Sequence, residues 1–238
     1  MRRRFFVKAF EADRAVLTGE AAHHLGRVLR AEPGQLYELS DGISVRLAKV
    51  AFSSRERVEF SLLESIPARV SPLRKTLLLA VVKFDKFEWA IEKATELGVD
   101  RIVPLAAARS EKGLLAAAGK RQERWKKILF EAAQQSRRVR VPELDPALRP
   151  EAAFKKEERG LHLMLSERND APSLRTVLEV QKADRVTVAV GPEGGWTDAE
   201  CSAAHQAGFQ DVSLGALILR TETAVSACLA AVNYALEK

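Results

Sequence analysis

Two stretches of this chain carry residue types at a spacing suited to holding a small molecule. The first is GPEGGW at 191–196, with Gly191, Pro192, Glu193, Gly194 and Gly195 in sequence. The second is LGALILRTETA at 214–224, which contains Leu214, Gly215, Ile218, Leu219, Arg220, Glu222, Thr223 and Ala224. Each follows a β-type run. Val186, Val188 and Val190 alternate with Thr187 and Ala189 before the first, and Val212 and Leu214 precede the second. The pattern predicts two loops at the C-terminal ends of neighbouring strands, where α/β proteins bind small ligands. Glycines let the backbone approach such a ligand closely. Glu193 decides against phosphate, because a carboxylate there repels an anion. No GxxxxGK[ST] phosphate loop occurs elsewhere. The pair of loops suits a ligand with positive charge or free amino and hydroxyl donors, such as S-adenosylmethionine.

Strands and helices must position these loops. From Thr76 the chain alternates between the two. TLLLAVV at 76–82 reads as a buried strand and Phe87 to Leu97 as a helix, with Gly98 its C-cap. Arg101 to Leu105 is the next strand, and Lys120 to Gln135 a long basic helix. LHLMLS at 161–166, VTVAV at 186–190 and DVSL at 211–214 follow as strands, and Thr221 to Leu236 closes the chain as a helix. This alternation predicts an α/β domain with a mostly parallel sheet covered on both faces. The last helix sets Val225, Cys228, Leu229, Val232 and Leu236 on one face and Ala224, Ala227, Ala230 and Ala231 on the other. With almost no charge between Glu222 and Glu237, it is covered on more than one side, either within the domain or at a subunit interface.

Residues 1–70 read differently. Phe5 to Val7, Leu36 to Leu39, Ile43 to Val50 and Arg57 to Ile66 are strands, with Pro33-Gly34 and Asp41-Gly42 as turns, and a small β-barrel fits them. One helix, Glu20 to Ala31, interrupts them. Leu25, Val28 and Leu29 form its apolar stripe, with His23, Arg27 and Arg30 opposite and His24 at the edge. The aperiodic stretch SIPARVSPLRK, flanked by Pro67 and Pro72, divides a domain at 1–70 from one at 74–238.

Composition bounds the partners. The net charge is +6, and the segment Lys120–Arg140 alone carries eight basic and two acidic residues, also net +6. So local a charge is either a footprint for nucleic acid or a solvated helix face. No run of about 18 apolar residues is present, so no membrane partner is expected. The start, MRRRFFVKAF, is not a signal peptide. Cys201 and Cys228 have neither a CxxC nor a His at ligand spacing. They read as buried free thiols of a cytoplasmic protein, with no metal site.

HHLGRVLRAEPGQ at 23–35, EKATELGVDRIVPL at 92–105, RWKKILFEAAQQSRRVRVPEL at 124–144, GPEGG and LGALILRTETA occur in that order. Together they resemble the RsmE family of bacterial ribosomal RNA methyltransferases, in the SPOUT superfamily. The resemblance implies a PUA-like, RNA-binding β-barrel followed by a SPOUT domain whose end threads a deep trefoil knot. It also implies a homodimer that uses S-adenosylmethionine to methylate N3 of a uridine in 16S ribosomal RNA, within the small ribosomal subunit. Gly191 to Gly195, Leu214, Gly215, Ile218, Leu219, Thr223 and Ala224 would then hold the cofactor, with Leu165 as a wall for its adenine. Arg220 would stabilise the uracil anion or orient the acceptor, or else pair structurally with Glu193 or Glu222. Glu222 would be the base if burial raised its pKa, or else a charge at a helix start. Arg2, Arg3, Arg4, His24, Arg27, Arg30, Arg109, Arg137, Arg138 and Arg140 would face RNA. His24 reads equally as a satisfied surface histidine, and the three N-terminal arginines as a disordered arm. The chain departs from the family pattern at Ala108, where an acid is common, at Gln134 for Glu and at Trp196 for Phe. A ribose 2′-O-methyltransferase of the same superfamily lacks the PUA-like start and carries an Asn-containing segment where this chain has Arg220 to Thr223. A non-catalytic RNA-binding protein would have no use for the paired loops.

Overall fold

The computed structural model describes residues 3–68, 70–157, 159–168 and 170–237. The chain divides into two compact units, Met1–Val70 with Ala133–Val141, and Ser71–Ala132 with Pro142–Lys238. The first unit therefore takes in a segment from far along the sequence that the hydrophobic pattern did not assign to it.

The first unit contains β1 (Arg4–Phe6), β2 (Arg14–Thr18), α1 (Gly19–His23), β3 (Leu36–Ser40), β4 (Val45–Ser53) and β5 (Arg57–Ser65). They form a five-stranded sheet in the order β1-β3-β4-β5-β2, with β1 and β3 parallel and the other pairs antiparallel. This mixed sheet curls as a half-barrel around Phe5, Leu17, Leu25, Leu39, Val58 and Phe60. β2 was not expected. Its Ala15 and Leu17 face the core while Arg14 and Thr18 are exposed, a period-2 pattern too short to stand out beside charged neighbours.

The helix expected over 20–31 is α-helical only to His23 and continues as π-type turns through His24–Val28. The wider turn changes the phase of the face. Leu25 stays buried, but Val28 is turned out and is 60% exposed, which corrects its place in the apolar stripe. Gly26 explains the close approach here, because a Cβ at that position would lie 2.3 Å from the Ser54 carbonyl oxygen.

The second unit contains β6 (Arg74–Ala80), α2 (Phe84–Glu96), β7 (Arg101–Leu105), α3 (Lys112–Gln135), β8 (Glu143–Leu144) and α4 (Pro150–Phe154). β9 (Leu161–Leu165), α5 (Leu174–Val180), β10 (Arg185–Val190), α6 (Asp198–Gln206), β11 (Gln210–Val212) and α7 (Thr221–Leu236) complete it. The last three residues of α3 fall in the first unit. The sheet runs β11-β9-β10-β6-β7-β8 and every pair is parallel. Leu77, Leu78, Leu79, Val103, Leu163, Val188 and Ala189 are buried in it, as strands covered on both faces require. Two expectations change. β10 and β11 are not neighbours, since β9 lies between them. α3 begins at Lys112 rather than Lys120, because GLLAAAG supplies helix formers without the charge pattern that marked its later turns.

Helix α7 buries Val225, Cys228, Leu229 and Val232, and Leu236 is half-buried. Its far end is tied to β6 by Lys75, a lysine only 1% exposed. Lys75 Nζ donates to Asn233 Oδ1 (2.6 Å), Glu237 Oε1 (2.5 Å) and the Leu97 carbonyl (3.1 Å), so the buried charge is fully engaged.

Candidate functional site

Because the strands are parallel, the loops after β6, β9, β10 and β11 all leave from one edge of the sheet. After β10, residues 192–195 form a tight turn. The Gly195 amide donates to the Pro192 carbonyl (2.8 Å), and Gly195 sits in the left-handed region at φ +71°. A Cβ on Gly191 would meet the Trp196 indole at 3.0 Å, so that ring lies against the glycine face. Its Nε1 donates to the Leu165 carbonyl (3.1 Å) at the end of β9, a bond that Phe could not make. Thr221 Oγ1 donates to the Gly191 carbonyl (3.3 Å) and joins the start of α7 to the same loop. Thr221 is 6% exposed and reads from sequence as an ordinary first-turn residue; only the fold reveals this role.

A third loop braces the turn. Arg109 Nη1 donates to the Gly194 carbonyl (2.8 Å), and Glu200 Oε1 accepts from the Ala108 amide (2.8 Å). Glu200 Oε2 accepts from both the amide (2.8 Å) and the hydroxyl (2.9 Å) of Thr197, which completes a capping box on α6. The acid missing at Ala108 is thus matched by an acid from α6 that holds the Ala108 amide. The Thr-x-x-Glu spacing of residues 197–200 was the available sign of α6 in the sequence.

After β11, Ser213 Oγ accepts from the Gly215 amide and donates to its carbonyl (3.2 and 3.1 Å). The loop then exposes Leu217 (81%) and Ile218 (77%), with Leu214 and Leu219 half-buried. Among the described residues, the amides of Glu193, Gly194 and Ala216 to Leu219 have no partner within the chain. Unpaired donors beside exposed apolar side chains are what a binding surface for a partly polar ligand offers.

Arg220 is the N-cap residue of α7 and is exposed, and among the described residues its guanidinium makes no ion pair or hydrogen bond. The alternative pairing with Glu193 or Glu222 is not formed. Glu222 Oε1 instead lies 3.4 Å from Lys86 Nζ on α2. Ala224 offers a ligand little, because its methyl is buried and its amide donates to the Arg220 carbonyl (2.8 Å). Thr223 is exposed, Pro192 is buried, and Leu165 is half-buried at the end of the strand between the two loops.

A family model described as an RNA methyltransferase domain matches residues 69–233. The chain is 36% identical over 226 residues to ribosomal RNA small subunit methyltransferase E of Synechocystis, covering 93% of this chain and 73% of that protein. The chain belongs to the ribosomal RNA small subunit methyltransferase E family. The family member of Bacillus subtilis is 32% identical over 237 residues, 95% of this chain and 92% of that one. The crystal structure of the Neisseria gonorrhoeae family member, bound to S-adenosyl methionine, superposes with a TM-score of 0.89 at 32% identity, covering 99% and 98% of the two chains.

The described residues expected to face RNA all fall in the first unit, except Arg109 in the second. In the first unit His24, Arg27, Arg30 and Arg3 are exposed, and Arg27 Nη1 lies 3.4 Å from His23 Nε2. Arg2 lies outside the described residues. Arg4 is a correction, since it is 8% exposed, its Nη2 pairs with Glu38 (2.8 Å), and its Nη1 donates to the Arg137 carbonyl. A guanidinium so enclosed does not reach a phosphate. Arg137 approaches Glu38 (3.8 Å), while Arg138 Nε donates to the Arg140 carbonyl (3.3 Å); all three of these arginines are half-buried. Arg109, exposed in the loop after β7, donates to the turn after β10. The charge of the basic helix is also lower than its local count, because Glu88 on α2 receives Arg124 (2.8 Å) and approaches Arg121 (3.7 Å). That acid lies outside the segment whose charges were counted. No helix among the described residues is long and apolar enough to cross a membrane, and no three His, Cys, Asp or Glu side chains cluster as a metal site would need.

Proposed function

We propose that this chain transfers the methyl group of S-adenosylmethionine to N3 of a uridine in 16S ribosomal RNA, acting in the cytoplasm on the small ribosomal subunit. The observation that carries this is the braced turn 192–195 with its free Glu193 and Gly194 amides. It lies across β9 from a loop of free amides and exposed Leu217 and Ile218, in a chain of this family. The donor set fits the cofactor. Free amides suit its hydroxyl, carboxylate and ring-nitrogen acceptors, Leu165 and the Leu214–Leu219 loop offer apolar faces to adenine, and Glu193 tolerates its cationic centre. When bound, the cofactor supplies a methyl group on a sulfonium.

The chain's part is to hold the acceptor in line and to stabilise it without its N3 proton. Arg220, exposed and free of partners at the start of α7, is the cation available to the developing uracil anion and its carbonyl oxygens. Glu222, held by Lys86, is two residues further on in sequence and is the candidate to receive the proton. RNA would be gripped through Arg3, His24, Arg27 and Arg30 and the 137–140 segment, mainly at phosphates.

A homodimer belongs to this proposal. Thr223, Ala227, Ala230 and Tyr234 leave an uncharged exposed face on α7, with Tyr234 94% exposed. The trefoil path of the family belongs to this proposal too. The test is nucleoside mass spectrometry and primer-extension mapping of 16S RNA from cells with and without the protein. A 3-methyluridine lost with the protein and restored by it is expected. A lost 2′-O-methylnucleoside, or no change at all, overturns the assignment.

A further inference from the structure

We infer that Arg109 is a positioning residue of the cofactor turn and not a contact to RNA. This rests on the cofactor reading given above. In the turn 192–195 the peptide joining Gly194 to Gly195 is flanked by two glycines, which accept either sense of φ, so the local sequence leaves the orientation of that peptide open. The structure closes that freedom from outside. The peptide joining Gly194 to Gly195 is held at both poles, its N–H by the Pro192 carbonyl (2.8 Å) and its C=O by Arg109 Nη1 (2.8 Å). With that peptide fixed, the two free amides, of Glu193 and Gly194, are left to point at a ligand.

Arg109 is itself held in place. It sits in a turn closed by the Ser110 amide donating to the Ala107 carbonyl (3.0 Å), and the preceding Ala108 amide is gripped by the buried Glu200. Glu200 also caps α6, the helix that directly follows the glycine turn. The Arg109 side chain lies flat on Gly194, since a Cβ there would come within 3.2 Å of Arg109 Cβ. A side chain at residue 194 would therefore crowd the arginine that holds the turn.

The test is calorimetry of S-adenosylhomocysteine binding to the full chain in the absence of RNA, beside the salt dependence of RNA binding and steady-state kinetics. Arg109→Ala should weaken binding of the homocysteine product roughly ten- to a hundredfold, as for loss of one hydrogen bond from a charged donor. The KM for S-adenosylmethionine should rise in step, with kcat at saturating cofactor and the slope of log affinity against log salt unchanged. Gly194→Ala, which displaces the arginine, should reproduce the loss. A phosphate contact predicts the reverse, namely unchanged product binding and a salt slope smaller by about 0.7–0.9. That result, or wild-type product affinity in both variants, overturns the inference. If the wild-type chain itself fails to bind the product, the cofactor reading has failed instead.

Discussion

Removing the guanidinium of Arg220 tests its proposed catalytic role apart from stability. The side chain is exposed and pairs with nothing among the described residues, and the backbone carbonyl of Arg220, which accepts from Ala224, is kept in an alanine variant. Surface substitutions of this kind stay within about 0.5 kcal/mol of wild type. For a chain of this length that moves Tm by no more than about 2 °C. The expected catalytic cost is far larger. Loss of one preorganised donor to a developing anion raises a barrier by roughly 2.7–4 kcal/mol, or about 10²–10³ in rate. Single-turnover methylation of small subunits by Arg220→Ala should therefore fall by that factor, with the melt and the cofactor titration barely changed. A rate near wild type would refute the role of the guanidinium. So would a rate loss matched by lost folding or lost cofactor affinity, since Arg220 would then be holding the loop and not the acceptor.

Three further outcomes are expected. Gly191→Ala places a methyl 3.0 Å from the Trp196 ring, so it should weaken cofactor binding measured by calorimetry while a melt shows a loss of about 1–3 kcal/mol. Glu38→Ala leaves the buried Arg4 without its partner and should cost about 3–5 kcal/mol by denaturant unfolding, with cofactor affinity unchanged; a loss below about 1 kcal/mol would show that Arg4 escapes to water. Glu237 is pushed up by partial burial, but hydrogen bonds from Lys75 and Ser71 and the Lys75 charge outweigh this and hold it below its ordinary 4.5. A lowered folded-state pKa means the stabilisation is present above 4.5 and fades as pH falls through the folded value. Glu237→Gln should accordingly lower Tm at pH 7 and converge with wild type in acid, as melts across that range would show.

The sequence by itself determined the elements whose signals are local. The short apolar run at 101–105, the period-2 run at 186–190 and the uninterrupted apolar face of 221–236 mark their elements locally, and these three lie within a residue of where the structure has them. The glycine-rich run 191–195 likewise marked its loop, because a backbone that must turn tightly selects glycine wherever it is. What only the tertiary structure decided involves partners distant in sequence. Strand order put β9 between β10 and β11, so Leu165 ends the strand that separates the two loops. Charges counted within one segment could not reveal that Glu88 neutralises Arg124, or that Glu38 encloses Arg4. The charge of Arg109 was legible in the sequence, but its bond to the glycine turn was not. Its nearest acceptor is a carbonyl 85 residues away. A side chain's chemistry is written in its type, but its partner is set by which elements the folded sheet brings side by side.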